Sequence, residues 1–301
     1  MFAVVAGIAG RIFIIALLTG AAVVGLELLW YRIPKRKQDR INTPVKKNIA
    51  VITGASSGLG RMYACLVYEK LKDLDEIWLV ARREDKLVET AGLVSGTTRC
   101  ICCDLTDEED MSAFGKVLKD ENVRIRILIN CAGKGLIGDH GSLSDKEQTG
   151  MTELNCIAAV KTVDMCLSYM HSGDRIVNVC STAGFQPLHK LGVYAATKSF
   201  LLKYTRSLRM ELLPKKIMVT AVCPYWIKDT EFIPAAVTKD RGVKRFLFAS
   251  DVYSVGKLSL TGAMIGFPVV TPGIICTIHR FFSKLLSDTV LVYLWEGIRR
   301  I

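Results

Sequence analysis

The sequence lacks the patterns that mark a metal site or a disulfide framework. Only four histidines occur in 301 residues, and of the ten cysteines only Cys100, Cys102 and Cys103 lie close together. No pairs show metal-ligand spacing, and alternate residues of a strand point to opposite faces. We therefore expect no bound metal, and we expect cysteines that act as small buried hydrophobic residues in a reducing compartment.

The sequence also lacks internal repeats and low-complexity segments, and its positive charge is not spread along the chain. The net charge is +11, and residues 32–47 hold seven Lys or Arg against one Asp. A nucleic-acid-binding domain carries basic residues over its folded surface, so we expect no nucleic-acid partner. This basic segment directly follows an apolar run, which favours the cytoplasmic flank of a membrane span.

The apolar run covers residues 12–30 and is almost uninterrupted. As a helix it would be about 30 Å long, the thickness of a hydrocarbon core. Trp30 and Tyr31 stand where interfacial aromatic residues belong, and Arg11 and Glu27 lie near its ends. A cleaved signal peptide is the alternative, but the run is long for one and no Ala-x-Ala-like site precedes the basic segment. We predict a membrane anchor over residues 1–31, a basic linker over 32–47, and a catalytic domain in the cytoplasm.

Apolar strands alternate with helices from residue 48 onward, which predicts an α/β fold with a doubly wound parallel sheet covered on both faces. The expected strands cover residues 48–53, 76–81, 98–103, 125–130, 175–180 and 217–223. The expected helices cover residues 58–71, 84–93, 151–171 and 192–213, and another begins near residues 106–110.

A second charge-free stretch, residues 258–278, is a candidate for a further membrane span. Gly266, Pro268, Pro272 and Gly273 interrupt it, which favours a helix, a short strand at residues 269–270, a turn and a second helix. Residues 276–301 are amphipathic and either cover a substrate pocket or lie on a bilayer surface.

A glycine-rich turn follows the first predicted strand and opens a helix. Its residues run Thr53-Gly54-Ala55-Ser56-Ser57-Gly58-Leu59-Gly60. Glycines allow a tight turn and a close backbone approach, and the N–H groups of a helix N-terminus bind a pyrophosphate. The strand–turn–helix context favours a dinucleotide site over an ordinary loop.

Ser181, Tyr194 and Lys198 form the candidate catalytic group. Ser181 ends the strand over residues 175–180, whereas Tyr194 and Lys198 are four residues apart and share one helix face. A nearby ammonium group favours the phenolate, so we expect Lys198 to lower the pKa of Tyr194.

Together these motifs resemble the short-chain dehydrogenase/reductase family, including members that act on steroids and lipids. The resemblance covers residues 48–275 and depends on six features in order, which are Thr53-Gly-x3-Gly-x-Gly60, Cys103-Asp104-Leu105, Asn130-Cys-Ala-Gly133, Asn155, Ser181-x12-Tyr194-x3-Lys198 and Pro224. It implies a Rossmann sheet of seven parallel strands in a three-layer α/β/α arrangement and nicotinamide-dependent hydride transfer.

The resemblance also implies residue roles. Tyr194 exchanges the proton with the substrate oxygen, Lys198 binds the nicotinamide ribose, Ser181 polarises the carbonyl and Asn155 holds a water in a proton relay. The cofactor is expected to contact Gly54, Ser56, Ser57, Gly58, Leu59, Gly60, Asp104, Leu105, Asn130, Ala132, Gly133, Tyr194, Lys198, Pro224 and Ile227.

The end of the second predicted strand bears on the choice of cofactor. NAD binding favours an acid there to hold the ribose 2′-hydroxyl, but the sequence continues with Arg82 and Arg83. Two guanidinium groups suit a 2′-phosphate. An ordinary solvated basic turn is the alternative, and we expect NADP(H).

Two departures from the family pattern affect these expectations. Cys131 replaces a second asparagine, and Tyr225 replaces the glycine after Pro224, with Thr230 one residue further on than usual. Tyr225 and Trp226 either narrow the pocket or stack on a flat substrate, or they simply pack.

We therefore expect a membrane-anchored, NADPH-dependent ketone reductase for a lipophilic substrate of steroid or long-chain acyl type. Oxidation of a lipid or steroid alcohol and a non-catalytic nucleotide-sensing scaffold are the alternatives. The resemblance implies a homodimer formed by the helices over residues 151–171 and 192–213.

Overall fold

The computed structural model describes residues 47–237, 246 and 248–300. Within them, parallel strands form one sheet in the order β3-β2-β1-β4-β5-β6-β7. The strands are β1 Lys47–Thr53, β2 Glu76–Ala81, β3 Thr98–Cys102, β4 Val123–Asn130, β5 Arg175–Val179, β6 Met218–Val222 and β7 Val269–Val270. The predicted seven-stranded parallel sheet is thus confirmed. The predicted anchor, residues 1–31, and the linker up to residue 46 lie outside the described residues.

Helices cover both faces of the sheet. They are α1 Gly58–Lys70, α2 Glu84–Ala91, α3 Glu108–Glu121, α4 Asp145–Thr152, α5 Ala158–Leu167, α6 Gly192–Leu212, α7 Phe232–Ala236, α8 Val252–Ile265, α9 Ile274–Leu285 and α10 Asp288–Arg300. A π-turn, Glu153–Ile157, joins α4 to α5.

The hydrophobic core has two halves because successive strand residues point to opposite faces. In β1, Ala50 and Ile52 pack into the half that contains residues of α1 and α8. Ile49 and Val51 pack into the other half, with residues of α3, α5 and α6. These residues are fully buried, so the sheet is the middle layer of a three-layer α/β/α domain.

The carboxyl ends of the strands meet along one edge of the sheet. The order of the strands reverses between β1 and β4, where Thr53 and Asn130 are paired neighbours. In open α/β sheets this switch point leaves a crevice for a ligand. The glycine-rich turn follows β1 and Ser181 follows β5, so the topology brings both to this edge.

The helix predicted over residues 151–171 differs from the observed chain. It begins earlier, at Asp145, because Ser144 and Glu147 form a capping box that satisfies the first N–H groups. It then widens into the π-turn at Asn155 and ends at Leu167. π-turns of this kind occur often at functional sites.

The charge-free stretch folds as predicted into a helix, the short strand β7, a turn and a second helix. Gly266 ends α8 with φ of 95°, a conformation that favours glycine. In the part of the chain that the structure describes, no helix combines the length and apolar character that crossing a bilayer requires.

Candidate active site

A cavity of about 1100 Å³ opens along the carboxyl edge of the sheet. It extends from the glycine-rich turn past Ser181 and Tyr194 to the C-terminal helices. The predicted site residues line this cavity, apart from Asn130 and Asn155. The topology therefore brings the dinucleotide motif and the candidate catalytic group into one space.

The backbone around the glycine-rich turn leaves no space for a side chain at two of its glycines. Gly54 and Gly58 have φ of 67° and 51°, where other residues are strained. A Cβ at Gly54 would lie 2.8 Å from the backbone of Ala132, and a Cβ at Gly60 would overlap the carbonyl of Gly54. The glycines thus let the turn pack closely against the neighbouring backbone, and the turn lines the cavity at the N-terminus of α1, where a phosphate of a dinucleotide fits.

Arg83 extends over the same turn. Its guanidinium donates to the hydroxyls of Ser56 and Ser57, each at 3.2 Å, and to the carboxylate of Glu231 at 2.7 Å. Because the pair is largely solvent-exposed, water screens the attraction. The guanidinium hydrogen bond of Arg83 holds the pKa of Glu231 below its usual value. A guanidinium and two hydroxyls together suit a phosphate.

Arg82 and Asp104 face each other beside Arg83. Nη1 of Arg82 lies 3.5 Å from Oδ2 of Asp104, whose other oxygen accepts from the backbone and hydroxyl of Thr106.

The side chain of Asn130 lies inside the protein, where its amide donates to the carbonyl of Ala159 and to the side-chain oxygen of Asn178. Its cofactor contact remains a prediction, and the buried amide holds β4 against β5.

Tyr194 and Ser181 both line the cavity, and the Ser181 hydroxyl acts to lower the pKa of Tyr194. The oxygen of Ser181 also accepts from the N–H of Ala183 at 3.1 Å. Both side chains are buried, with 7% and 9% of their surface exposed. Two hydroxyls therefore converge on one point of the cavity wall, where both can donate to a single oxygen atom of a substrate.

Burial opposes the lowering of the Tyr194 pKa expected from Lys198, and that role of Lys198 remains a prediction. Burial raises the pKa of Tyr194 to about 12, although the hydrogen bond from Ser181 acts in the opposite direction. Nζ of Lys198 lies 5.9 Å from the centre of the Tyr194 ring and donates to the carbonyl of Val179 at 2.9 Å. Tyr194 is consequently a protonated acid at neutral pH, while burial lowers the pKa of Lys198.

Asn155 positions the backbone next to Lys198. Its Oδ1 accepts from the N–H of Lys134 at 2.9 Å, and its amide donates to the Lys134 carbonyl and to Thr197 Oγ1. A Cβ on Gly133 would lie 3.1 Å from Oδ1 of Asn155 and 3.3 Å from Nζ of Lys198. The side-chain amide is thus bonded to protein groups, and its place in a proton relay remains a prediction.

Aromatic residues form the wall opposite the glycine-rich turn. The ring of Trp226 lies 4.7 Å from that of Phe246 and 6.4 Å from that of Phe232, and Tyr194 lies 5.7 Å from Phe232. Tyr225, which replaces the usual glycine, and Trp226 both line the cavity. Thr230 packs against Gly58, since a Cβ atom at Gly58 would lie 3.4 Å from the side chain of Thr230.

The C-terminal helices close the far end of the cavity. Their apolar lining residues are Ile275, Ile278, Phe282, Leu286, Leu291, Leu294, Trp295 and Ile298. Nε1 of Trp295 donates to the carbonyl of His189, and Glu296 binds Nδ1 of His189. Of the two placements expected for this tail, the structure has it covering the pocket.

Comparison with known proteins decides the family. The short chain dehydrogenase model matches residues 48–241, more than half of the chain. The chain belongs to this family. An uncharacterised oxidoreductase of Staphylococcus epidermidis is 30% identical over 220 residues, which cover 72% of this chain and 92% of the relative.

Solved structures of short-chain dehydrogenases agree with this assignment. One from Sphingobium yanoikuyae, in complex with NADPH, is 26% identical with a TM-score of 0.66 and covers 79% of this chain and 93% of its own. Another, from Streptomyces avermitilis, has a TM-score of 0.69 at 21% identity, covering 85% and 98% of the two chains, and shows the fold alone. The protein is thus a short-chain dehydrogenase/reductase oxidoreductase, and this class uses NAD(P).

Several residues of this short-chain dehydrogenase site were not found by sequence reasoning. Glu231, Gln186 and His279 line the cavity, yet each is a single polar residue outside any family motif. Gln186 and His279 are 93 residues apart and form a hydrogen bond of 2.8 Å. The amphipathic pattern of the tail was the one available signal for the segment that contains His279.

Proposed function

We propose that this short-chain dehydrogenase reduces a ketone of a lipophilic substrate with NADPH, using Tyr194 as the acid. The observation that carries the proposal is the placement of the buried Tyr194 and Ser181 side chains together at the wall of a largely apolar cavity that continues to the glycine-rich turn.

The residues of the chain act on the substrate oxygen. Ser181 and Tyr194 donate hydrogen bonds to the carbonyl and place its carbon towards the cofactor side of the cavity. Nicotinamide, when bound, supplies the hydride. Tyr194 transfers its proton to the oxygen as negative charge develops there, and a positioned acid of this kind contributes about 10²- to 10⁴-fold in rate. The buried ammonium of Lys198 then favours the tyrosinate that is left.

The preference for NADPH is supported by Arg83 and the serines beside it. A guanidinium with two hydroxyls at 3.2 Å provides charge-assisted donors for a 2′-phosphate. The second strand ends without an acid that would select a 2′-hydroxyl. NADPH is also the cofactor bound in the Sphingobium yanoikuyae relative.

The lipophilic substrate is supported by the walls of the cavity. Beyond Tyr194 they consist largely of aromatic and aliphatic side chains from the segment after β6 and from α9 and α10. Burying apolar substrate surface there contributes about 25 cal/mol per Å². A flat or elongated apolar ketone, of steroid or long-chain acyl type, matches this lining.

Oxidation of a lipid or steroid alcohol is the second candidate. It needs Tyr194 as a base, and burial raises the pKa of this residue, which favours the acid role and hence reduction at neutral pH. A nucleotide-sensing scaffold is a third candidate, but the buried Ser181, Tyr194 and Lys198 side chains in one cavity favour catalysis.

The test is a panel of steroid ketones, long-chain acyl ketones and small carbonyl compounds, with NADPH consumption as the readout. We expect turnover of bulky apolar ketones with NADPH and much less with small carbonyls. Faster oxidation of the matching alcohols with NADP⁺ at pH 7 contradicts the direction. Binding of NADPH without turnover of any compound contradicts the enzyme.

We further propose that residues 1–31 anchor the enzyme in a membrane with its catalytic domain in the cytoplasm. The support is the apolar run over residues 12–30 and the basic segment after it. Full-length protein should resist carbonate extraction, and a variant lacking residues 1–31 should be extracted. Membrane association that survives the deletion contradicts the proposal.

A homodimer through the region around α5 and α6 is also proposed. Ile157, Phe200 and Met210 are exposed there, at 45% to 53% of their surface, and α6 is the longest described helix. Light scattering on the protein without residues 1–31 should give a dimer, and Phe200→Glu should give a monomer. A monomeric parent protein contradicts the proposal.

A further inference from the structure

A polar pair lies among the apolar side chains at the C-terminal end of the cavity, and the proposed reaction at Tyr194 does not use it. His279 of α9 and Gln186, five residues after Ser181, both line the cavity. Nε2 of His279 lies 2.8 Å from Oε1 of Gln186. A carboxamide oxygen only accepts, so Nε2 carries the proton and donates.

The proton on Nε2 determines what the pair presents to a ligand. Burial lowers the pKa of His279, so the ring is neutral and its Nδ1 is an acceptor. The amide nitrogen of Gln186 remains a donor. Among the described residues, neither Nδ1 of His279 nor Nε2 of Gln186 has a hydrogen-bond partner. The pair therefore offers one acceptor and one donor.

Aromatic rings hold His279 in place. Its ring meets Phe185 edge-on at 5.9 Å and Tyr225 at 6.4 Å, with interplanar angles of 90° and 82°. Phe185 is the last residue of the short helical turn that begins after Ser181, and Tyr225 follows Pro224, whose carbonyl lies 3.5 Å from Oγ of Ser181. Phe185 thus lies four residues after Ser181, and Tyr225 follows a residue that lies beside Ser181, so the pair belongs to the substrate end of the cavity.

We propose that His279 and Gln186 form a recognition site for a hydroxyl group carried by the ketone substrate. A hydroxyl donates to Nδ1 of His279 and accepts from Nε2 of Gln186, which satisfies both unpaired atoms. A second ketone or an ether can only accept, and a hydrocarbon leaves both atoms unpaired in an apolar wall. The substrate class is therefore a hydroxy ketone with an apolar frame. This inference rests on the proposed function and names the second polar group of its substrate.

The experiment compares matched ketones that differ in one hydroxyl. The probes are phenylcyclohexanone against its para-hydroxyphenyl counterpart, and androstanone against hydroxyandrostanone. The two frames place the hydroxyl at different distances from the carbonyl. For the full-length enzyme we expect kcat/KM to be at least about tenfold higher for the hydroxylated member of one pair, since a site built for a hydroxyl rejects the analogue that lacks it.

Two variants assign this preference to the polar pair. His279→Phe and Gln186→Leu should each reduce the ratio within the pair towards one, mainly by raising KM for the hydroxylated ketone. Phe282→Leu is the matched control because it changes an apolar residue of the same wall. This variant should change kcat/KM for both ketones of a pair by the same factor and leave their ratio unchanged. Two variants from different segments keep the test decisive if one of them fails to fold.

A binding measurement separates this inference from the proposed reaction. Trp226 and Trp295 line the cavity, so quenching of tryptophan fluorescence by each ketone reports affinity without turnover. Equal affinity for hydroxylated and plain ketones in both pairs overturns the hydroxyl site. So does a preference that both variants retain. Preferential binding of the hydroxylated ketones without any NADPH consumption overturns the reductase instead and leaves the recognition site supported.

Discussion

The carboxylate of Glu231 lies 2.7 Å from the guanidinium of Arg83 and connects the segment after β6 to the glycine-rich turn. Arg83 is the residue proposed to hold the 2′-phosphate of NADPH. Its bond to Glu231 already uses part of the hydrogen-bonding capacity of its guanidinium. Glu231 and a phosphate compete for the same cation, and the segment that carries Glu231 also contributes Trp226 to the substrate cavity.

Replacing Glu231 with Gln should therefore tighten NADPH binding. An exposed ion pair contributes little, so the expected gain is about 2- to 5-fold in Kd, measured by calorimetry. NADH affinity should change less. Glu108→Gln on α3, which removes the exposed pair with Lys161 of α5, is the control and should change neither affinity. Weaker NADPH binding in the Glu231 variant would identify this carboxylate as a cofactor contact.

Replacing Arg83 with Ala should reduce the preference for NADPH over NADH. Hydrogen bonds to charged groups contribute about 1.5–3 kcal/mol, so kcat/KM with NADPH should fall about 10- to 100-fold while that with NADH changes little. Arg82→Ala should have a smaller effect because Arg82 faces Asp104 rather than the serines. Equal losses with both cofactors would refute the phosphate contact.

Tyr194→Phe should abolish ketone reduction while leaving NADPH binding intact. The change removes the proton donor and one of two hydrogen bonds to the substrate oxygen, and we expect a loss of about 10²- to 10⁴-fold in kcat. Lys198→Ala should reduce both turnover and NADPH affinity. The measurements are single-turnover rates and NADPH titrations. Near-normal activity of Tyr194→Phe would show that another group supplies the proton.

The pH dependence should follow the protonation of Tyr194. Its pKa is raised to about 12, so reduction, which needs the acid form, should hold a constant single-turnover rate from about pH 6 to pH 9. The reverse oxidation needs the tyrosinate and should become faster through the same range. A reduction rate that falls with a midpoint near pH 7 would contradict the buried acid.

The same shift carries a consequence for stability. The folded pKa of Tyr194 exceeds its ordinary value of 10.0. Its contribution to folding is therefore fully present below about pH 10 and is lost as the pH rises towards 12. The midpoint of denaturant unfolding should decrease less over this range for Tyr194→Phe than for the parent enzyme. An identical decrease in both proteins would contradict the shift.

Docking of α10 should depend on Glu296. Hydrogen bonds from Arg299 and His189 lower the pKa of this carboxyl to about 2, so its contribution is present above its ordinary value of 4.5 and is lost as the pH falls towards 2. Glu296→Gln should raise KM for bulky apolar ketones about 2- to 5-fold at pH 7. Asp288→Asn, at the start of the same helix, is the control. An unchanged KM would show that Trp295 suffices to hold the helix.

The order of strands and helices could be predicted because local rules decide it. The strands are continuous apolar runs that are buried on both faces, and the π-turn and the capped start of α4 changed only boundaries. The parallel sheet follows from that alternation, and the chemistry of Ser181, Tyr194 and Lys198 follows from their spacing around a strand end and one helix turn.

The sequence by itself therefore determined the fold, the family and the dinucleotide turn, since these depend on neighbours along the chain. Only the tertiary structure decided the electrostatics and the far wall of the cavity. The sequence puts Lys198 one turn from Tyr194, but the fold buries the phenol and directs the ammonium to Val179, so desolvation outweighs the charge. Glu231 reaches Arg83 and His279 reaches Gln186 across 148 and 93 residues, because strand order and helix packing, rather than any local pattern, set which distant residues meet.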